Sequence, residues 1–248
     1  MRFGSSGTID GRCFLRQCAP PPGALHGSGA GRAGEPVHAI LQKLRRPQRA
    51  CTVNCQGSVK RDPVISWRVR PLNKDDSDEI YRIAYIQASC FQTSRHVPLV
   101  GPLLYRNFAA EVLSEMRKKA RTPPDYPFAS LVLEERRSRE VVGVVEVSRA
   151  RLQELQRSKD RAFFQAYISS MAVEDAWRRR GGATALLEAA EGVAREWGQA
   201  EAALHVYADN GAGIALYTAR GYARAAADAT WLAAVGVRPR VLLTKRLE

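Results

Sequence analysis

Residues 163–196 set three things end to end: an apolar run, FFQAYISSMAV (163–173), a basic glycine turn and an apolar helix. The run is the right length for a strand buried on both faces. After EDAW comes Arg178-Arg179-Arg180-Gly181-Gly182-Ala183, and Ala185, Leu186, Ala189, Ala190 and Val193 then recur on one helical face until Gly198 closes the helix after Trp197. A buried strand that turns straight into an apolar helix must pack that helix back on its own sheet, so the chain is an α/β protein. The first turn of such a helix has backbone N–H groups without intrahelical acceptors, and the dipole adds positive potential there. With glycines permitting close approach and arginines alongside, the turn predicts an anion site. The bland alternative is a glycine turn with solvated arginines. The spacing G-x-x-x-x-G-K-[ST] is absent, as are kinase and dinucleotide-fold signatures, so nucleotide hydrolysis is not indicated.

The remaining elements follow from period and punctuation. VISWRV (64–69) reads as a strand, Asn73 to Asp76 as capping residues, and Ile80, Ile83, Ala84, Ile86 and Gln87 as one helix face. A second helix spans about 99–120, its basic end suiting a C-terminus and Pro123-Pro124 stopping it. Phe128–Glu134 and Val141–Val147 form a hairpin about the charged tip ERRSRE, and 150–162 is helical or coiled. Strands at Ala202–Tyr207, Gly221–Ala225 and Arg240–Leu247 and a short helix at Gly211–Arg220 complete the order β, α, α, β, β, β, α, β, α, β, β. A mixed, mostly antiparallel sheet of about six or seven strands with helices on both faces is expected.

Composition separates a leader from this unit. The net charge is +13, but residues 1–60 hold nine basic and only two acidic residues, nine of the 19 glycines and four of the five cysteines. That stretch has no sustained apolar periodicity and no continuous apolar core of a secretory signal. It is basic, poor in acid, and locally amphipathic at Val37, Ile40, Leu41 and Leu44, so residues 1–60 are expected to be a disordered organelle transit peptide and linker, plastid rather than mitochondrial. RRPQRACTVNC (45–55) reads as a processing region. Gly29, Gly31 and Gly34 spell G-x-G-x-x-G but follow Pro20-Pro21-Pro22 and coil rather than a strand. Cys13, Cys18, Cys51 and Cys55 lack metal-ligand spacing, and no metal is expected. Cys90 reads as a lone buried thiol. No apolar run reaches the 18 or more residues of a membrane span. Residues 61–248, carrying +6, form the one folding unit.

A second motif lies about thirty residues after the glycine turn: Leu204-His205-Val206-Tyr207-Ala208-Asp209-Asn210-Gly211-Ala212-Gly213-Ile214-Ala215-Leu216-Tyr217, then Arg220-Gly221-Tyr222. Together the two resemble the GNAT superfamily of acetyl-CoA-dependent N-acetyltransferases. Arg178, Gly181 and Ala183 match its Q/R-x-x-G-x-G/A motif, and Asn210, Leu216, Tyr217 and Gly221-Tyr222 its N-x-x-x-x-x-L-Y-x-x-x-G-F/Y signature. The resemblance covers about 64–248 and includes the ending GVRPRVLLTKRL, which looks like that of plant and algal plastid members. Gly182, where the family often has an apolar residue, and Gly213, in place of a common alanine, depart from the pattern.

The resemblance implies a splayed cleft between the strand ending at Val173 and that at 202–207, with acetyl-CoA in it. Met171, Ala172 and Val173 would bond the pantetheine arm through their backbone, Arg178, Arg179, Arg180, Gly181, Gly182, Ala183 and Thr184 would hold the pyrophosphate, and Asn210, Gly211 and Ala212 would line the pantetheine. Tyr217 would be the general acid for the leaving thiolate; its phenol, with a reference pKa about 10, stays protonated at working pH. His205 stands where some members acting on peptide N-termini have glutamate and is the candidate base, with Glu146 and Glu174 weaker ones; Ser169 and Ser170 could line a water path. The expected acceptors are proteins or peptides with free amines, as lysine side chains, N-termini or both. Small amines such as arylalkylamines or polyamines are the alternative, and a silent CoA-binding module the lesser one. Nucleic acid is not an expected partner, because basic residues and aromatics are not interleaved. A monomer in the plastid stroma is expected.

Overall fold

The computed structural model describes residues 65–91, 101–123, 126–151 and 164–248. Residues 1–60, with their glycine and cysteine motifs, and most of the 150–162 stretch lie outside them. The elements are β1 (Trp67–Pro71), α1 (Ser77–Phe91), α2 (Gly101–Ala120), β2 (Phe128–Glu135), β3 (Val141–Arg151), β4 (Phe164–Val173), α3 (Gly182–Glu196), β5 (Glu201–Tyr207), α4 (Gly211–Ala219), β6 (Ala223–Ala227) and β7 (Arg240–Arg246), with short 3-10 helices at Asp175–Trp177 and Thr230–Val235. The two 3-10 turns are absent from the sequence reading, and β3 runs four residues past Val147.

Local chemistry sets the helix ends. Asp76 Oδ1 accepts from the N–H groups of Asp78 and Glu79 at 2.9 and 3.2 Å, an N-cap reinforced by the two acids of the first turn. At the end of α2, Arg117 and Lys118 remain in the basic last turn, but Lys119 is only 4% exposed and turns inward.

The seven strands lie in the order β1-β2-β3-β4-β5-β7-β6. All pairs are antiparallel except β4 with β5. Each face carries its own core. On one, Ile83 and Ile86 of α1 and Val112 and Met116 of α2 pack on Val132, Val144 and Ala172. On the other, Leu186, Leu187, Ala190 and Ala194 of α3 pack on Leu133, Val145, Ile168, Leu204 and Val206. Leu186 and Leu187 have no exposed surface, and burying each stabilises the fold by about 2 kcal/mol relative to leaving it in water.

One irregularity positions everything that follows. The register of β3 on β4 slips between Val144↔Ala172 and Glu146↔Ser169, leaving an extra residue in β4. Ser170 takes φ +53° there, a left-handed conformation uncommon outside glycine. The bulge flips the alternation of side chains: Ile168 and Val173 share the α3 face, whereas Ala172 faces α1 and α2.

Candidate active site

β4 and β5 pair through only three partners, Ala166↔Ala202, Tyr167↔Ala203 and Ile168↔Leu204. Beyond them β4 stays on β3 as far as Gly143↔Val173, while β5 stays on β7 through His205↔Leu242 to Tyr207↔Arg240. The strands part just before the bulge, opening a cleft. Ser169, Ser170 and Met171 form one wall, and His205, Val206 and Tyr207 the other; Asn210 and Tyr217 come in from α4 and Arg240 from β7. Among the described residues lining it there is no carboxylate.

The glycine turn caps one end of β4. Arg179 and Gly181 both take positive φ, +62° and +82°, and Gly181 is the N-cap of α3 without any side-chain cap. The first backbone bond of α3 runs from Ala185 N–H to Gly181 O, so the N–H groups of Gly182, Ala183 and Thr184 precede the intrahelical ladder and are placed for an anion. Gly182 is buried because Leu133 lies against it; a Cβ there would stand 2.6 Å from Leu133 Cδ2. That accounts for the departure at this position. Arg178 is turned back on the protein: Nε donates to Val173 O at 2.9 Å, Nη1 meets Asp175 at 2.6 Å, and Nη2 reaches Cys90 Sγ at 3.4 Å. Cys90 is half-buried, its pKa is raised by burial, and its Sγ donates to Val173 O at 3.5 Å. The Val173 carbonyl is therefore already engaged, which leaves Met171 as the more open backbone of the expected trio.

At the other wall, Asn210 Oδ1 caps α4 by accepting Gly213 N–H at 2.9 Å. A Cβ on residue 213 would come within 2.7 Å of Asn210 Nδ2, so Gly213 is what lets this cap close. Gly211 and Ala212 are exposed at the start of α4. Tyr217 is 8% exposed, packs edge-on against Tyr222 with ring centroids 5.9 Å apart, and lines the cleft. Burial raises its phenol to about 12, so it carries its proton throughout the working range.

His205 lies on the same wall. Its Nδ1 is 3.0 Å from the Tyr167 hydroxyl, and the rings meet edge-on at 5.8 Å. Burial and the nearby Arg240 charge lower its pKa to about 4, outweighing Asp228, which raises it. The imidazole is neutral above about pH 5. Glu146 and Glu174 line no part of the cleft: Lys119 Nζ meets Glu146 at 2.7 Å and Arg82 Nη2 meets Glu174 at 2.7 Å. Tyr167 and Arg240 were missed by the sequence reading. Tyr167 falls mid-strand in an apolar run, and only the parallel β4–β5 pairing brings it to His205.

Among the described residues no group of three or more His, Cys, Asp or Glu is placed to hold a metal, and no helix is long and apolar enough to cross a membrane.

Comparison with known proteins agrees with this architecture. The model of the acetyltransferase (GNAT) family matches residues 83–222. GCN5-related N-acetyltransferase 10, chloroplastic, of Arabidopsis thaliana is 35% identical over 189 residues, 73% of this chain and 72% of its own. GCN5-related N-acetyltransferase 7, chloroplastic, of the same plant is 35% identical over 81 residues, 33% of this chain and 30% of its own. In fold, the chain is similar to the PaiA N-acetyltransferase of Thermoplasma acidophilum in complex with coenzyme A, with a TM-score of 0.54 at 14% identity over 73% of this chain and 99% of that one.

Proposed function

The chain belongs to the GNAT acetyltransferase family and is an acetyl-CoA-dependent N-acyltransferase, and from that premise we propose that it acetylates primary amines of proteins or peptides, at N-terminal α-amines, lysine ε-amines or both. One observation carries the reading: the cleft left where β4 and β5 part carries Tyr217 and His205 along its wall, and the turn that follows β4 starts α3 with three amides ahead of the intrahelical ladder. The amides of Gly182, Ala183 and Thr184, ahead of the intrahelical ladder, fit a diphosphate, and the open strand edge at Met171 fits an amide-bearing arm. Arg179 and Arg180 add positive charge beside them, while Arg178 supports the loop through Val173.

Transfer proceeds by direct attack within a ternary complex. The neutral amine adds to the thioester carbonyl, whose oxygen the β4 backbone at the bulge stabilises as charge develops. The C–S bond then breaks, and Tyr217 gives its proton to the departing sulfur. The amine's proton leaves toward His205, directly or through a water beside Ser169 and Ser170. A neutral imidazole with a lowered pKa takes that proton only once the nitrogen has become acidic by bonding to carbon.

A cleft bearing Arg240 and no carboxylate among its described lining residues disfavours a multiply charged polyamine. It also favours an α-amine, with a reference pKa near 8, over a lysine near 10.4, because more of it arrives neutral. The names of the two Arabidopsis relatives, together with the basic, acid-poor residues 1–60, support a plastid protein with that leader as its address. Incubating the protein with acetyl-CoA and a mixed proteome, then mapping acetylated termini and lysines by mass spectrometry beside a small-amine panel, tests the acceptor. Acetylation confined to the small amines overturns the protein reading.

A further inference from the structure

We propose that Trp67, on the edge strand β1, is a positioning residue that latches the anion-binding turn. This rests on the reading of that turn as the seat of the CoA diphosphate. The indole Nε1–H of Trp67 donates to the carbonyl of Arg180 at 2.7 Å, across 113 residues of sequence. Arg180 lies between two left-handed residues, Arg179 and Gly181, so its peptide is the pivot on which the turn swings into α3.

The rings around this bond make a small frame. Trp67 meets Trp177 edge-on with centroids 5.9 Å apart, and the Arg180 guanidinium stands 5.6 Å over the Trp177 ring. A Cβ on Gly182 would be 3.5 Å from the Trp67 ring and 2.6 Å from Leu133, so the turn lies flat on both. Trp67 is itself held from the hairpin tip, where Arg136 Nε donates to its carbonyl at 2.9 Å and Arg136 N–H to Ser66 O at 3.0 Å.

Fixing the Arg180 carbonyl on the indole orients the following peptides, so the N–H groups of Gly182, Ala183 and Thr184 are set for one anion together. The contribution is preorganisation: the turn does not have to be ordered when the anion arrives. Phenylalanine at 67 keeps the ring packing and removes only the N–H, leaving an exposed carbonyl that water can satisfy.

The test compares the full chain with its Trp67→Phe variant by titration calorimetry with CoA and by turnover of acetyl-CoA against S-acetyl-pantetheine, which lacks the diphosphate. The expected result is a five- to tenfold weaker CoA affinity and a matching rise in KM for acetyl-CoA. The net worth of one hydrogen bond is about that factor. The KM for S-acetyl-pantetheine and kcat at saturation stay as in the wild type, and the unfolding midpoint falls by no more than about 4 °C, the scale of one hydrogen bond in a domain of this size. Unchanged CoA affinity overturns the latch. So does an equal loss for both thioesters together with a midpoint lowered beyond that, since Trp67 would then serve only the core. A wild-type chain that does not bind CoA overturns the reading of the site itself.

Discussion

Ser170 Oγ donates to Glu146 Oε2 at 2.8 Å, tying the left-handed bulge residue to a carboxylate with no exposed surface. Glu146 also takes Lys119 Nζ at 2.7 Å, so one carboxylate joins α2, β3 and the bulge that parts β4 from β5. Replacing it as Glu146→Gln leaves the Lys119 ammonium buried beside a neutral amide. We expect a loss of about 3 to 5 kcal/mol in urea unfolding, the range for removing one partner of a buried pair. The double variant Glu146→Leu with Lys119→Met should recover most of it, and failure to recover would place the cost in the Ser170 bond instead.

Tyr217→Phe removes one hydroxyl from the cleft wall and leaves the ring against Tyr222. Turnover should fall about a hundredfold, the scale of lost general-acid catalysis. CoA binding by calorimetry should stay within a factor of two or so of wild type. Equal turnover would reject the acid role. Because the phenol titrates at about 12, no loss of activity below about pH 11 belongs to it.

His205 makes a pH prediction with a definite sign. Unfolded, it takes a proton near 6.5; folded, only at about 4. Between those values the unfolded chain binds more protons, so this residue's contribution makes stability fall as pH drops from about 6.5 to about 4 and level off below. His205→Gln should flatten that slope in urea midpoints measured at pH 7 and pH 5. The acid limb of kcat/KM above about pH 5 should follow the acceptor amine, moving when an α-amine peptide is exchanged for a lysine peptide. A limb near 6.5 that vanishes in His205→Gln would contradict the lowered value.

Gly182→Ala places a methyl 2.6 Å from Leu133 Cδ2, itself wholly buried. Leu133 must shift, and overpacking of this kind costs about 1 to 3 kcal/mol. Thermal unfolding should show that loss, with a rise in KM for acetyl-CoA because the turn is displaced. The same substitution at Gly192 of α3, where a Cβ would meet nothing within 4 Å, should do neither.

The order of elements was legible because β4, the glycine turn and α3 carry strong local signals: a mostly apolar run, a glycine pair and a 3.6-residue stripe. The two motifs also located the turn and Tyr217. The bulge was not legible, since Ser169-Ser170 inside an apolar strand has no turn chemistry and takes its left-handed φ from Glu146, 24 residues away. For the same reason the sequence offers Ser170 only as lining for a water path and Glu146 only as a weaker base candidate, where the structure joins them as a brace. Trp67 and Tyr167 read as strand aromatics; their partners, Arg180 and His205, are 113 and 38 residues away. Long-range pairing of this kind leaves no local pattern.

The central claim is acyl transfer to an amine in the cleft between β4 and β5. A peptide with a free α-amine and one internal lysine, incubated with acetyl-CoA and the full chain, tests it when acetylated peptide and released thiol are counted together. The account predicts equal amounts of the two, and a sharp fall of both with Tyr217→Phe. Thiol release without peptide acetylation, or acetylation undiminished by Tyr217→Phe, would contradict it.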